Sequence, residues 1–147
     1  MDKKLLLEQI KSITSTDLPL ISNLSNVSSV LNQLEDINWV GFYLVMSDAL
    51  YLGPFQGDVA CSKIPFDKGV CGTAYTQKET IIVGNVNEFK GHIACSSLSK
   101  SEIVTPIIKN HKVVALIDID SPKYNRFNEE DKLFLIEVAK TLENFFS

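Results

Sequence analysis

The chain has 147 residues, of which 45% are hydrophobic and 22% are charged, and these values predict one domain with a buried core and exclude a disordered chain. Lysine and arginine total 14 against 18 aspartate and glutamate residues, a net charge of −4, which argues against a nucleic-acid partner. The longest apolar run, residues 39–46, is too short to cross a membrane, and the N-terminus has no secretory signal pattern. We therefore expect a cytoplasmic protein without a membrane partner.

The N-terminal segment predicts two helices. Apolar residues recur at spacings of three and four from Leu6 to Leu34, which is the period of a helix with one buried face. We expect these helices over residues 2–14 and 18–35.

From residue 38 onward the pattern changes to that of β-strands. Trp39–Val45 is rich in β-branched and aromatic residues, and Ser47 and Asp48 supply a turn before a second apolar stretch at residues 50–52. This pattern predicts a hairpin. A third strand is expected over residues 60–66.

The middle of the chain predicts shorter elements. Glycines introduce a short helix at residues 69–75, and a short strand follows at residues 80–83. Residues 84–101 show no period and predict a long loop, and loops of this length in compact domains are usually functional.

The C-terminal third predicts a second hairpin and a last helix. Strands over residues 102–109 and 112–120 flank Asn110 and His111, and Asn128 is the expected N-cap of the helix, with Asp131 three residues later. The apolar face of this helix is expected to include Leu133, Ile136, Leu142 and Phe145.

This order of elements predicts the fold class. Strands joined by hairpins, with long helices at both ends of the chain, are typical of an α+β domain. We expect a mainly antiparallel central sheet of about six strands with helices packed on one face, in a single domain over residues 1–147.

Two carboxylates share one face of the last predicted strand. Because side chains alternate along a strand, Asp118 and Asp120 lie on the same side, roughly 6.5 Å apart. Like charges held this close in a cleft are unfavourable unless a cation joins them. Either a positive group binds there or the pair is a solvated strand end; a divalent cation is less favoured, since no EF-hand spacing is present. The same alternation places Val114 and Leu116 on the face of the two aspartates and assigns Val113, Ala115, Ile117 and Ile119 to the core.

Glu102 begins the partner strand, and the hairpin register decides whether it joins the pair. A three-residue loop would place Glu102 opposite Asp120. A two-residue loop would place it on the other face unless a β-bulge intervenes. The sequence leaves both registers open, and a solvated surface carboxylate is the alternative role for Glu102.

The three cysteines, Cys61, Cys71 and Cys95, are the candidates for redox or metal chemistry. Their odd number argues against a structural disulfide framework, and the absence of a C-x-x-C pair weakens a zinc site. A Cys3His site that includes His92 stays as a minor alternative, with a hydrogen-bonding role in the loop favoured for this histidine, and a buried inert thiol is the default for any one cysteine. From local context alone Cys71 is the expected nucleophile, because a helix N-terminus lowers a thiol pKa.

Several segments together resemble the free methionine-R-sulfoxide reductases, which are enzymes made of a single GAF domain. The resemblance runs from about residue 38 to the C-terminus. The matching stretches are Asn38-Trp39-Val40-Gly41-Phe42-Tyr43, Leu52-Gly53-Pro54-Phe55-Gln56-Gly57, Ala60-Cys61, Gly69-Val70-Cys71-Gly72-Thr73-Ala74, Gly91-His92-Ile93-Ala94-Cys95, Ser101-Glu102-Ile103-Val104 and the D-I-D strand of residues 118–120.

The resemblance implies a thiol reaction on free L-methionine-R-sulfoxide. In this family pattern Cys95 attacks the sulfoxide sulfur, and Cys61 resolves the resulting sulfenic acid as a disulfide. Cys71 takes an auxiliary or alternative resolving role. This assignment replaces the nucleophile expected from local context.

The resemblance also implies a substrate site. Glu102 corresponds to the acidic group near the sulfoxide oxygen, and Asp118 and Asp120 correspond to the ligands of the substrate ammonium. Trp39 and Tyr43 correspond to the aromatic wall around the thioether end.

The same resemblance sets the expected partners. A dithiol such as thioredoxin recycles the enzyme, no cofactor or metal is required, and a homodimer is left open. The alternative function is a non-catalytic GAF sensor that binds a small amino-acid-like ligand; such a sensor would need an output module, which we do not expect in this chain.

Overall fold

The computed structural model describes residues 2–92 and 98–147. Within them the helices are α1 (Lys3–Ile13), α2 (Leu20–Leu31), α3 (Gly69–Gln77) and α4 (Glu129–Glu143), with a short 3-10 turn at Val86–Glu88. The strands are β1 (Trp39–Val45), β2 (Leu50–Gly57), β3 (Lys63–Ile64), β4 (Ile81–Val83), β5 (Ser101–Lys109) and β6 (Lys112–Ser121).

The described strands form one six-stranded sheet in the order β3-β2-β1-β6-β5-β4. Every neighbouring pair is antiparallel. This confirms the predicted α+β class and the strand number. It also places β1 and β6, which carry Trp39, Tyr43, Asp118 and Asp120, side by side at the centre of the sheet.

Each face of the sheet has its own apolar core. Helices α1, α2 and α4 cover one face, where Ile117 and Ile119 lie fully buried among helix residues such as Leu24 and Leu135. On the other face α3 packs through Val70 and the neighbouring buried residues of the helix against side chains of β1, β5 and β6. The sequence predicts the helices on one face, so this placement of α3 differs from the prediction. The helix is short and buried on several sides, so it has no clear apolar stripe.

Helix α4 begins as predicted, and of its predicted apolar residues Leu142 lies in the core and Phe145 packs against it. Asn128 accepts a hydrogen bond from the Asp131 amide, and the Asp131 carboxylate accepts one from the Asn128 amide, so the capping box is complete. Leu133, expected in the core, is 56% exposed. Asp131 itself is buried and pairs with Arg126 at 3.2 Å. The buried apolar residues of the helix are Phe134, Leu135, Val138, Ala139 and Leu142.

The β5–β6 hairpin resolves the open register. Lys109 pairs with Lys112 across a two-residue loop, and both loop residues have positive φ values of 52° and 67°, as in the tight turns that join antiparallel strands. A β-bulge then shifts the register by one residue, and Glu102 lies opposite Asp120. The bulge also moves Val113 to the aspartate face and Val114 to the helical face, the reverse of their predicted placement.

Some element bounds differ from the sequence prediction. The strand expected over residues 60–66 is reduced to β3, and α2 begins after Pro19, which serves as its N-cap. In the part of the chain that the structure describes, we find no helix with the length and apolar character needed to cross a membrane.

Candidate active site

Three carboxylates meet where β5 begins and β6 ends. Glu102 faces Asp120 across the ladder, and Asp118 lies two residues away on the same face of β6. Asp118 is 5% and Glu102 is 8% exposed, while Asp120 is partly exposed. Hydrogen bonding to Asp118 and Asp120 is among the causes that raise the pKa of Glu102, and two carboxyl groups can hydrogen bond only when one of them is protonated.

Burial makes these carboxylates weak acids. It raises the pKa of Glu102 well above its ordinary value, and the negative charges of Asp118 and Asp120 raise it further. Burial also raises the pKa of Asp120, with the Asp118 charge as the second cause. The pKa of Asp118 is raised by burial as well, although hydrogen bonds from Glu102 and Cys71 oppose that change. The group therefore retains protons at pH values where ordinary carboxyl groups have lost them.

No lysine or arginine compensates this cluster within the described residues. The ion pairs there involve other carboxylates, and the buried Oδ1 atom of Asp118 has no hydrogen-bond partner among residues 2–92 and 98–147. A buried acceptor without a partner costs about 1 to 3 kcal/mol. The cluster is therefore suited to a ligand that brings positive charge and hydrogen-bond donors.

Cys71 lies beside the carboxylates at the start of α3. Its Sγ atom is 3.5 Å from Oδ2 of Asp118 and donates a hydrogen bond to it. Burial raises the thiol pKa well above its ordinary value, and the charge of Asp118 adds to this. The expectation that the helix start lowers the Cys71 pKa is therefore wrong, because desolvation outweighs the helix N-terminus.

The two other cysteines are Cys61, which the structure describes, and Cys95, which it does not. Cys61 is half-buried in the segment between β2 and β3 and is disulfide-bonded, whereas Cys71 is a free thiol. Cys95, the predicted nucleophile, lies outside the described residues. The structure thus describes one cysteine in the oxidised state and one buried in the reduced state.

Trp39 and Tyr43 of β1 flank the carboxylates. Trp39 lies opposite Asp120 of β6, and the two aromatic residues are 3% and 2% exposed. Their ring centroids are 6.1 Å apart. The Trp39 indole donates to the carbonyl of Asp58 at 3.0 Å, and the Tyr43 hydroxyl donates to the carbonyl of Cys61 at 2.8 Å. Both side chains therefore connect the central strand to the segment that carries Cys61.

Gly41 allows the aromatic rings to pack. Phe55 of β2 stacks on Trp39 with a centroid distance of 5.3 Å. A Cβ atom at Gly41 would lie 2.4 Å from the Phe55 Cβ atom and 2.7 Å from the Trp39 ring, so a side chain there would displace both. Glycine at residue 41 is the sequence feature that permits this stack. Phe55 was not predicted as a site residue.

These side chains enclose one cavity together with residues that the sequence did not single out. Ser99 lies near Asn38, whose amide nitrogen donates to the Ser99 hydroxyl at 3.3 Å, and hydrogen bonding from Ser99 opposes the rise in the pKa of Asp120. His92 also lines the cavity, and its pKa is lowered, mainly by burial. The cavity is lined by Trp39, Tyr43, Val59, Ala60, Ile64, Gly69, Val70, Cys71, His92, Ser99, Glu102, Asp118 and Asp120.

The donor atoms in this cavity could accept a cation of more than one type. Cys71 Sγ and one oxygen each of Glu102 and Asp118 lie within 4.8 Å of one another, so a metal ion is compatible with them. His92 does not belong to this group within the described residues. An ammonium group is equally compatible, since it donates three hydrogen bonds to carboxylates.

Comparisons with known proteins agree with the geometry. A family model described as the GAF domain matches residues 27–146. The free methionine-R-sulfoxide reductase of Saccharomyces cerevisiae is 45% identical, over 97% of this chain and 86% of the yeast protein.

Solved structures of this group match closely. The free methionine-R-sulfoxide reductase from Neisseria meningitidis in complex with its substrate superposes with a TM-score of 0.93 at 45% identity, covering 98% of this chain and 87% of that one. The reduced form of fRMsr of Staphylococcus aureus gives a TM-score of 0.94 at 47% identity, covering 99% and 96%. With the carboxylate cluster, the aromatic wall and the GAF sheet in place, these matches show that the chain belongs to the GAF-domain family of free methionine-R-sulfoxide reductases.

Proposed function

We propose that this protein reduces free L-methionine-R-sulfoxide to methionine. The observation that carries the proposal is the buried carboxylate cluster without a compensating cation among the described residues, next to an aromatic wall and a disulfide-bonded cysteine. The names of the relatives supply the substrate class, and the cavity supplies the chemical groups that such a substrate requires.

Asp118 and Asp120 bind the substrate ammonium in this proposal. The Oδ1 atom of Asp118, which has no partner among the described residues, would accept a hydrogen bond from the ammonium group. The positive charge of the ammonium would relieve the repulsion between the two aspartates. A methionine residue inside a protein has a neutral amide at this position. The site therefore favours the free amino acid.

Trp39 and Tyr43 hold the thioether end. Both rings are buried, and they stand on the cavity face of β1. An apolar wall opposite a charged pocket orients the amino acid, because each end of the substrate is stable only at its own end of the cavity.

Glu102 supplies the proton. Loss of oxygen from a sulfoxide requires protonation of that oxygen, and a carboxyl group is a donor only while it is protonated. Burial and the two neighbouring charges keep the Glu102 pKa raised. Glu102 is therefore suited to be the acid beside the sulfoxide oxygen.

The cysteines carry out the sulfur chemistry in this proposal. The Cys95 thiolate attacks the sulfoxide sulfur and the oxygen takes the proton. The S–O bond of the substrate then breaks as the hydroxyl group passes to the Cys95 sulfur, and the products are methionine and a Cys95 sulfenic acid. The Cys61 thiol then attacks that sulfenic acid, which forms a disulfide and releases water. The disulfide-bonded state of Cys61 and the buried free thiol of Cys71 support this division of roles. A dithiol such as thioredoxin would reduce the disulfide and complete the cycle.

The test is turnover with separated epimers. Methionine formation is measured with dithiothreitol as reductant and with the R or the S epimer of free methionine sulfoxide. We expect turnover of the R epimer only, because an anchored S epimer turns its oxygen away from Glu102 or its lone pair away from Cys95. Binding of the R epimer without methionine formation would overturn the proposal and favour the non-catalytic sensor.

A further inference from the structure

We propose that the Tyr43 hydroxyl positions the resolving cysteine: by donating a hydrogen bond to the main-chain carbonyl of Cys61, it holds Cys61 where its sulfur can reach the sulfenic acid. This role is separate from that of the Tyr43 ring in the cavity wall. It rests on the proposed function, in which Cys61 resolves the oxidised Cys95.

The donor stands on a rigid element. Tyr43 lies in β1, which is paired on both sides, with Leu52 of β2 and Leu116 of β6 opposite Tyr43. Its side chain is 2% exposed, so the ring cannot turn away into solvent. The hydroxyl is 2.8 Å from the Cys61 carbonyl oxygen, which is an ordinary O–H···O distance.

The acceptor lies in a segment with little regular structure. Residues 58–62 connect β2 to β3. The Trp39 indole holds the first residue through the Asp58 carbonyl at 3.0 Å, and the Leu52 amide holds the last through the Ser62 carbonyl at 3.0 Å. Between these two anchors, the Tyr43 hydrogen bond acts on the main chain of the cysteine itself.

The hydroxyl keeps its proton under all working conditions. Burial raises the Tyr43 pKa, and the charge of Asp118 raises it further. A carbonyl can only accept, so the direction of the bond is fixed. The anchor is therefore present whichever protonation state the carboxylates adopt.

Loss of this anchor would slow disulfide formation more than it would disturb substrate binding. Reactions between held groups depend on their alignment, and small displacements reduce the rate by large factors. Tyr43→Phe keeps the ring and removes only the hydroxyl. We expect the rate at which Cys61 captures the sulfenic acid to fall about tenfold.

The experiment measures competition for the sulfenic acid. Reduced enzyme is mixed with one equivalent of methionine-R-sulfoxide and with dimedone at a concentration that traps about a tenth of the wild-type sulfenic acid. Intact mass gives the ratio of dimedone adduct to disulfide, which does not depend on the rate of the first step. Tyr43→Phe should raise this ratio about tenfold, with folding checked by circular dichroism at the same temperature.

Tyr51→Phe is the matched control. Its hydroxyl donates to Asp48 at 2.9 Å in an exposed hairpin, away from the cavity, so the ratio should equal that of the wild type. A Tyr43→Phe ratio within twofold of the wild-type ratio overturns the positioning role. A wild-type enzyme that forms no methionine, or no disulfide containing Cys61, instead overturns the proposed function on which this role rests.

Discussion

The two faces of the central sheet arise from alternate residues of the same strands, yet they bury different chemistry. On β6, Ile117 and Ile119 lie fully buried under α1, α2 and α4, whereas Asp118 between them lies buried in the cavity with Glu102. Apolar burial stabilises the fold at about 25 cal/mol per Å². Burial of carboxylates without a cation opposes folding. Apolar burial on the helical face therefore stabilises the fold and offsets the cost of burying carboxylates on the cavity face. The charge of those carboxylates is compensated only when a ligand binds.

The largest effect should come from the sulfur chemistry of the cavity face. Cys95→Ser should lose all reduction, while Cys61→Ser should still form up to one methionine per enzyme without reductant, because attack requires only the nucleophile. Rapid quench with quantified methionine separates the two variants.

Cys71→Ser is the companion variant to these two. Serine keeps a donor toward Asp118, so we expect less than a tenfold loss of activity. Stoichiometric methionine formation by Cys95→Ser would contradict the assignment and return Cys71 as the nucleophile.

The next effect tests whether the buried charge of the cavity face recognises an ammonium. N-acetylation of methionine-R-sulfoxide removes the positive charge and adds little volume, so kcat/KM should fall roughly 30- to 1000-fold, equivalent to about 2 to 4 kcal/mol. Asp118→Asn and Asp120→Asn should show similar losses with the free substrate. The measurement is steady-state kinetics with dithiothreitol.

The methyl ester of the same epimer is the matched substrate, since it is enlarged at the carboxylate and keeps the ammonium. A comparable kcat/KM for the acetylated and the free R epimer would refute the ammonium site even if Cys95 proves to be the nucleophile.

On the helical face the expected change is in stability instead of kinetics. Leu135 of α4 is 1% exposed, so Leu135→Ala should lower the free energy of unfolding by about 2 to 5 kcal/mol. The kcat/KM of the folded variant should equal that of the wild type, since α4 does not reach the cavity lining.

Asp118→Asn should show the reverse behaviour, with less than about 1 kcal/mol of lost stability. Urea denaturation and kinetics on both variants test this contrast. A large kinetic loss in Leu135→Ala would show that the two faces are not independent.

Strand periodicity accounts for only part of what the sequence predicted about the cavity face. Asp118 and Asp120 share a side because strand geometry has a strict period of two. The approach of Glu102 depended on a β-bulge near Val114, and a one-residue irregularity leaves no pattern in the sequence. The resemblance to a known family supplied the residue set, and the structure supplied the register.

Long-range contacts were the part that sequence reasoning missed. The Tyr43 hydroxyl and the Cys61 carbonyl are 18 residues apart, and no local signal links them. The burial of Cys71 likewise depends on α3 packing against the sheet, so its raised pKa could not be inferred from its position at a helix start. Capping at Asn128 was predictable because both partners lie within four residues.

A further contrast between the two faces is a pH dependence of stability that originates on the cavity face. The pKa of Glu102 is raised in the folded protein, first by burial and then by the charges of Asp118 and Asp120. As pH rises above the ordinary carboxyl value of about 4, the unfolded chain loses its proton while the folded protein keeps it, so the free energy of unfolding falls. The slope cannot exceed about 1.4 kcal/mol per pH unit for one proton.

Glu102→Gln removes this titration and also relieves the neighbouring aspartates. The free energy of unfolding of the wild type minus that of Glu102→Gln should therefore decrease from pH 4 to pH 7, as measured by urea denaturation at each pH. Glu79→Gln, the same substitution at an exposed position between α3 and β4, serves as the control. A difference between wild type and Glu102→Gln that increases with pH would mean that the folded protein stabilises the ionised glutamate, and Glu102 could then not be the proton donor to the sulfoxide oxygen.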